Sequence, residues 1–230
     1  MNISPPNFRG FTLVEMAIVL VIVGLLLGGL LMPLSTQVEQ RRIGETQKSL
    51  DEINQALLGF AIANKYLPCP ADPTLASGAA GAGQARLFAA GACTGGNSGV
   101  LPWATLGVSE TDAWGNRYTY RVTAGFADTT TFFTLSSPGD STIRATSGGT
   151  SIASAIPAVI VSHGKNGSGA YNTAGTQLAV SADADEAENS NNDTNFVSKT
   201  PTATFDDLVA WVSPNILFNR MVTAGKLPWP

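Results

Sequence analysis

Charged residues are scarce in this chain, and the scarcity limits the partners that it can have. Asp, Glu, Lys and Arg make up 13% of the 230 residues, whereas about 25% is usual in soluble domains. The 13 Lys and Arg residues are scattered along the sequence, and the formal net charge is −4. Because the sequence has no basic stripe that could contact a phosphate backbone, we expect no nucleic-acid partner.

Cysteine and histidine are also rare, which argues against most metal and catalytic motifs. The two cysteines, Cys69 and Cys93, form no C-x-x-C pair, so neither a zinc site nor a thioredoxin-like site is indicated. The single histidine, His163, follows Ser162, but adjacent residues on a strand point to opposite faces. Since serine–histidine catalysis needs the two side chains to meet, and no G-x-S-x-G elbow is present, we expect that the protein is not an enzyme.

A long apolar run near the N-terminus is the strongest feature that the sequence does contain. No charged residue occurs from Met16 to Val38. A helix of this length spans about 34 Å at 1.5 Å per residue, which is enough for the ~30 Å hydrocarbon core of a bilayer. The run is too long for the apolar region of an ordinary signal peptide, and it therefore predicts a transmembrane helix.

The residues just before this run resemble a known processing site. Arg9-Gly10-Phe11-Thr12-Leu13-Val14-Glu15 is similar to the N-terminal motif of type IV pilins and type II secretion pseudopilins. In that family a membrane peptidase cuts after the glycine and methylates the new N-terminal residue. The resemblance implies cleavage between Gly10 and Phe11, and it makes Phe11 the methylated terminus. Glu15 matches the family's acidic residue, which pairs with the N-terminal amine of a neighbouring subunit. A carboxylate in an apolar bundle needs such a cation.

The resemblance also implies how the chain is organised. Residues 1–10 would be a leader peptide, residues 11–38 a transmembrane and assembly helix, and residues 39–230 the helix continuation and an exported pilin-like head. The expected partners are the prepilin peptidase, other pilin or pseudopilin subunits and the inner membrane. The N-terminus would be cytoplasmic, and the head would be periplasmic or, after assembly, extracellular. The positive-inside rule alone does not favour this orientation, because Arg41 and Arg42 follow the run and only Arg9 precedes it.

Two functions are compatible with this organisation. We expect a structural subunit, either a secretion pseudopilin or a minor pilin, in a filament of the type II secretion or type IV pilus kind. The alternative is a membrane-anchored periplasmic enzyme or binding protein with no filament role. A filament role requires the Phe11 terminus and Glu15, whereas an anchored enzyme would tolerate their loss.

The remaining sequence predicts an α+β fold, with the long N-terminal helix packed on a small antiparallel sheet and short C-terminal helices. Apolar residues at helical spacing, such as Ile43, Leu50, Ile53, Leu57 and Phe60, predict that the helix continues from Gln37 to Ala63. Pro68 and Pro70 prevent its extension. Strands are expected at residues 117–122, 131–135 and 158–161, with a weaker one at 177–180.

Two further patterns concern the helices and turns of this region. Thr204 to Asp207 resembles a capping box, which predicts a helix over residues 205–212. Ser213 and Pro214 are typical of an N-cap and a first helical position, and they predict another helix over Ile216 to Thr223, with Gly225 as its C-terminal stop. The segment from Asp112 to Tyr118 is similar to the Asp-x-Trp-Gly turn that precedes the sheet of major pseudopilins.

Cys69 and Cys93 enclose a loop that is rich in Gly, Ala and Ser. Two cysteines in an exported domain favour one disulfide, which would close a loop of about 25 residues and stabilise the fold by ~3 kcal/mol. Two unrelated buried thiols are the alternative.

The acidic stretch from Asp183 to Asp193 makes calcium a candidate cofactor, and we expect no other cofactor. Calcium prefers six to eight oxygen ligands, and Asp183, Asp185, Glu186 and Asp193 could supply them if they converge. Major pseudopilins are known for a calcium site in a late loop. The stretch does not follow the EF-hand pattern, so a solvated acidic loop is the favoured interpretation.

Overall fold

The computed structural model describes residues 10–228, and it gives residues 26–35 by their backbone only. Residues 1–9 of the expected leader therefore lie outside the described residues. The chain divides into two compact units between Arg42 and Ile43. We refer to the residues up to Arg42 as the N-terminal unit and to those from Ile43 on as the C-terminal unit.

Helix α1 (Leu13–Asn64) is the longest element. In the N-terminal unit the apolar side chains of α1 that the structure describes are exposed, with Leu13 at 89%, and Phe11, just before the helix, is 79% exposed. Within the described residues, no helix is both long enough and apolar enough to cross a membrane. The helix ends where Lys65 adopts a left-handed conformation (φ +72°), close to the predicted end.

The other elements belong to the C-terminal unit. In chain order they are β1 (Phe88–Ala89), β2 (Ala92–Cys93), β3 (Ser98–Val100), α2 (Trp103–Leu106), β4 (Thr119–Val122), β5 (Ser141–Arg144), β6 (Ser151–Ile156), β7 (Ala158–Ser162), α3 (Ala184–Glu188), β8 (Asn195–Val197), β9 (Leu208–Val212) and α4 (Pro214–Thr223). A short 3-10 turn lies at Ala124–Phe126. The predicted α+β class is confirmed.

The main sheet has four antiparallel strands in the order β3-β4-β7-β9. The C-terminal part of α1 packs against it, because Leu50, Ile53 and Leu57 are buried in the same cluster as Tyr118 and Tyr120. The predicted apolar stripe of the helix is therefore confirmed as a packing face. The expected strands at 117–122 and 158–161 are confirmed as β4 and β7.

A second sheet was not predicted from the sequence. Its order is β6-β5-β8, with β5 antiparallel to β6 and parallel to β8. Ile143 of β5 and Phe196 of β8 form a smaller buried cluster with Val159 and Val161 of the main sheet. Strand β7 therefore contributes to both clusters, which explains why its four apolar residues are buried.

The expected strands at 131–135 and 177–180 are wrong. Asp128 accepts hydrogen bonds from the backbone N–H groups of Thr130 and Thr131 at 2.7 and 2.9 Å, which produces a turn. Phe133 then packs on Phe126 at 4.8 Å between ring centroids. Gln177 forms only an isolated bridge with Tyr171, so no strand develops there.

The expected helix at 205–212 is also wrong, because its last five residues form strand β9. Each residue of β9 pairs with β7, from Leu208 opposite Ser162 to Val212 opposite Ala158. The side chain of Asp207 is buried instead of capping a helix. By contrast, α4 begins at Pro214 after Ser213 as predicted, and it buries Leu217 and Met221.

Candidate functional site

The expected processing segment lies at the N-terminal end of α1. Gly10 and Phe11 are exposed and precede the first helical residue, Leu13. Among the described residues, no atom lies within 4 Å of the position that a Cβ on Gly10 would take. The Gly10–Phe11 peptide bond is therefore accessible in the N-terminal unit.

Thr12 and Glu15 form a reciprocal cap at the start of this helix. The backbone N–H and the hydroxyl of Thr12 both donate to Glu15 Oε2 at 2.8 Å. The backbone N–H of Glu15 donates to Thr12 Oγ1 at 3.2 Å. This arrangement is a capping box, and Thr12-Leu13-Val14-Glu15 has its Thr-x-x-Glu sequence pattern. Sequence reasoning considered only Glu15 and missed Thr12.

The structure joins Cys69 to Cys93 by a disulfide, with their Cα atoms 5.6 Å apart. Cys69 is fully buried, and Cys93 lies in the β1–β2 ribbon. Arg86 lies inside the enclosed loop, and its guanidinium donates to the carbonyl of Gly95 at 2.7 Å. The oxidation state of the two sulfurs in the exported protein stays a prediction.

Asp112 organises the turn that resembles that of major pseudopilins. Its Oδ1 accepts hydrogen bonds from the backbone N–H groups of Trp114 and Asn116, both at 3.0 Å. Its Oδ2 accepts a hydrogen bond from the hydroxyl of Ser162 at 2.7 Å. Burial raises the pKa of Asp112 above its ordinary value, although these hydrogen bonds oppose the shift. Asp112 therefore links the turn before β4 to the end of β7.

Ser162 and His163 use different partners. Ser162 donates to Asp112, whereas His163 Nε2 shares a hydrogen bond with Thr119 Oγ1 at 2.8 Å. The two side chains therefore do not form a nucleophile–base pair. Burial lowers the pKa of His163 to about 4, so the ring is neutral at neutral pH.

The four acidic residues that were considered for calcium do not act as one ligand group in the structure. Asp183 accepts from the backbone N–H of Asp185 at 2.9 Å as the N-cap of α3. Asp185 accepts from the backbone N–H of Ser147 and forms an ion pair with Lys199. Burial alone would raise the pKa of Asp185, but these contacts outweigh it and lower the pKa.

Asp193 and Glu186 complete this set of four. Asp193 is exposed and accepts from the backbone N–H of Asn195 at 2.6 Å. Glu186 is 1% exposed and lies beside Asp206 and Asp207. One oxygen from each of these three carboxylates lies within 4.8 Å of the other two. Glu186 thus belongs to an acidic cluster with two residues that sequence reasoning assigned to a helix cap.

Asp207 lies in a buried and acidic environment. Burial raises its pKa to about 8, and the charges of Glu186 and Asp206 add to the shift, while a hydrogen bond from Asn189 opposes it. Burial also raises the pKa of Asp206.

Gly164 fits closely against Asp206: it has φ +55°, and the Asp206 carbonyl oxygen lies 2.3 Å from the position that a Cβ would take. Only glycine is compatible with this approach of the loop after β7.

Comparison with known families identifies the N-terminal segment. Residues 5–31 match the family described as the prokaryotic N-terminal methylation motif. The matched range contains Gly10, Phe11 and Glu15, so the chain carries the prepilin-type cleavage and methylation signature that its sequence resembles. Neither a curated protein nor a solved structure matches the chain.

Proposed function

We propose that the protein is a structural filament subunit, a type II secretion pseudopilin or a type IV minor pilin, which a prepilin peptidase cuts after Gly10. The observation that carries the proposal is the match of residues 5–31 to the prokaryotic N-terminal methylation motif. The accessible Gly10–Phe11 bond and the helix that begins directly after it support the same cleavage site.

The proposal includes an inner-membrane anchor formed by residues 11–38. No charged residue occurs from Met16 to Val38, and the described apolar side chains of this segment are exposed. A large exposed apolar surface requires a cover of lipid or of other apolar side chains. Lipid would cover it in the free subunit, and the helices of neighbouring subunits would cover it in the filament. The leader would lie in the cytoplasm, and the C-terminal unit would form the periplasmic or extracellular head.

Glu15 has two successive partners in this account. Thr12 of the same chain satisfies the carboxylate before assembly. Cleavage creates a cationic amine at Phe11, and the amine of a neighbouring subunit could then pair with Glu15 inside the apolar bundle. Such a pairing offsets the cost of placing an isolated carboxylate among apolar side chains.

The experiment that tests the proposal compares two valine substitutions. Gly10→Val places a branched side chain at the cleavage site, and we expect the variant to keep its leader and to be absent from sheared filaments. Gly44→Val is the matched control, because Gly44 is an exposed helical glycine with no atom within 4 Å of a Cβ. We expect this control to be processed and incorporated.

Two results would contradict the proposal. One is incorporation of the Gly10→Val variant into filaments at the level of the chain without any substitution. The other is the absence of the processed chain without any substitution from every filament fraction. That result would favour the anchored enzyme or binding protein.

A further inference from the structure

The C-terminal unit contains a cluster of three carboxylates, in which Glu186 and Asp207 are buried and Asp206 is half-buried. Glu186 comes from α3, whereas Asp206 and Asp207 come from the segment just before β9. Glu186 is 1% exposed and Asp207 is 2% exposed. Within residues 10–228, no lysine or arginine forms an ion pair with any of the three. Like charges repel strongly where water is excluded, so the cluster needs either a cation or shared protons.

Hydrogen bonds satisfy only one oxygen of each carboxylate. Glu186 Oε1 accepts from Asn166 Nδ2 at 2.8 Å and from the backbone N–H of Asp206 at 3.0 Å. Asp206 Oδ2 accepts from the backbone N–H of Asn166 at 3.0 Å, and Asp207 Oδ2 accepts from Asn189 Nδ2 at 2.8 Å.

The other oxygen of each carboxylate is buried and has no hydrogen-bond partner among the residues that the structure describes. These atoms are Glu186 Oε2, Asp206 Oδ1 and Asp207 Oδ1. Unpaired buried polar atoms are uncommon in folded proteins, and each one calls for an explanation such as a bound ion or water. The bonded oxygens fix the orientation of the carboxylates, and the unpaired oxygens remain available as ligands.

His163 provides an independent observation, because it comes from the end of β7 and is fully buried. Its Nε2 shares a hydrogen bond with Thr119, but within residues 10–228 its Nδ1 has no hydrogen-bond partner. Nδ1 faces Asp207 Oδ1 across 3.8 Å, a distance too long for a hydrogen bond. A fourth unpaired polar atom is thus directed at the cluster from a different element of the fold.

We propose that Glu186, Asp206 and Asp207 bind one hard divalent cation, of the Ca²⁺, Mg²⁺ or Mn²⁺ class. Carboxylate oxygens are the preferred ligands of these ions, whereas zinc favours cysteine and histidine. The cation neutralises the repulsion among the three carboxylates and connects α3 to the segment that leads into β9. His163 lies beside this ligand set, with its Nδ1 3.8 Å from Asp207 Oδ1. The site does not depend on the N-terminal motif or on filament assembly.

The test uses the full-length protein in detergent micelles after treatment with EDTA. Its melting temperature is measured in millimolar CaCl₂, MgCl₂ or MnCl₂ and in NaCl of equal ionic strength. We expect a rise of about 5 °C with at least one divalent ion and no rise with sodium. Equilibrium dialysis with that ion should find one bound ion per chain.

Two amide variants distinguish a cation site from a structural role of the same residues. Glu186→Gln and Asp207→Asn each keep an acceptor oxygen and replace an ionisable carboxyl group by a neutral amide. We expect both variants to lose the ion-induced rise and to melt at or above the temperature of the unsubstituted chain in EDTA, because a neutral amide adds no charge that a cation or a proton must neutralise. Asp193→Asn is the control, since Asp193 is exposed and outside the cluster, and it should keep the full rise.

The proposal is overturned if no divalent ion raises the melting temperature more than sodium does. It is also overturned if both Glu186→Gln and Asp207→Asn keep the full ion-induced rise. In the first case shared protons stabilise the cluster, and in the second the ion binds elsewhere.

Discussion

Thr12 and Glu15 hydrogen-bond to each other in both directions at the first turn of α1. Glu15 therefore has a structural partner in its own chain before any neighbouring subunit is present. An alanine at position 15 would remove the cap and the negative charge together. Substitutions at both positions are needed to separate these two contributions.

The first prediction separates helix capping from charge pairing. Glu15→Gln keeps an oxygen that can accept from Thr12 but removes the charge, so we expect normal cleavage and greatly reduced incorporation into filaments. Thr12→Ala keeps the charge and weakens the cap by ~1 kcal/mol, so we expect near-normal incorporation. Quantification of both variants in sheared filaments checks this prediction. If Thr12→Ala is the more damaging substitution, Glu15 acts through the cap and not through a neighbouring amine.

The second prediction concerns Asp112. It is 6% exposed and serves three donors, so Asp112→Ala should lower the free energy of unfolding by about 2–4 kcal/mol, because it leaves buried donors unpaired. Asp112→Asn keeps an acceptor for the turn, and the hydroxyl of Ser162 can accept from the new amide. We expect Asp112→Asn to lower the free energy of unfolding by less than half as much as Asp112→Ala. Urea denaturation of the detergent-solubilised protein measures both losses, and equal losses would contradict this account of the turn.

The third prediction is the Cys69–Cys93 bridge in the exported protein. Peptide mapping without reductant should recover the two cysteines in one linked species. The bridge closes a segment with a sequence separation of 24, so the Cys69→Ala, Cys93→Ala double variant should lose ~3 kcal/mol of stability. Recovery of two free thiols from the exported protein would contradict both the bridge and the expected compartment.

The fourth prediction is a pH dependence of the protein after divalent ions are removed with EDTA. The pKa of Asp207 rises from 3.8 to about 8 in the folded protein, first because of burial and then because of Glu186 and Asp206. The folded state thus binds a proton more tightly than the unfolded chain, and stability falls as pH rises toward 8. His163 has the opposite effect only below pH 6.5, since burial lowers its pKa from 6.5 to about 4.

The clearest window is therefore pH 7 to 8, where Asp207 titrates and His163 is mostly neutral in both states. We expect the free energy of unfolding to fall by up to about 1.4 kcal/mol across this window, at one proton per pH unit. Asp207→Asn should flatten the profile. Urea denaturation at several pH values measures the slope, and a rising or flat profile for the unmodified chain would contradict the assignment.

Local sequence signals predicted the parts of the fold that depend on local contacts. The helical spacing of Leu50, Ile53 and Leu57 predicted the packing face of α1, and Ser213-Pro214 predicted the start of α4. Strand β9 was missed because Thr204 to Asp207 resembles a capping box, whereas its pairing with β7 depends on residues about fifty positions away. Non-local pairing of this kind leaves no local pattern.

The processing motif and the acidic cluster also differ in how far they can be recognised from the sequence. The processing motif is contiguous, so its residues are recognisable from Arg9 to Glu15 without any structure. The acidic cluster joins Glu186 to Asp206 and Asp207 across twenty residues, and it forms only because α3 and the segment before β9 meet beside His163. The sequence correctly drew attention to Glu186, but it could not identify the residues that accompany it.

The measurement that tests the central claim most directly is the mass of the N-terminal peptide of the membrane-extracted protein. It requires coexpression with an active prepilin peptidase. The account predicts that the chain begins at Phe11 and that this residue carries one methyl group on its amine. A chain that still begins at Met1, with an active peptidase in the same membrane, would contradict it.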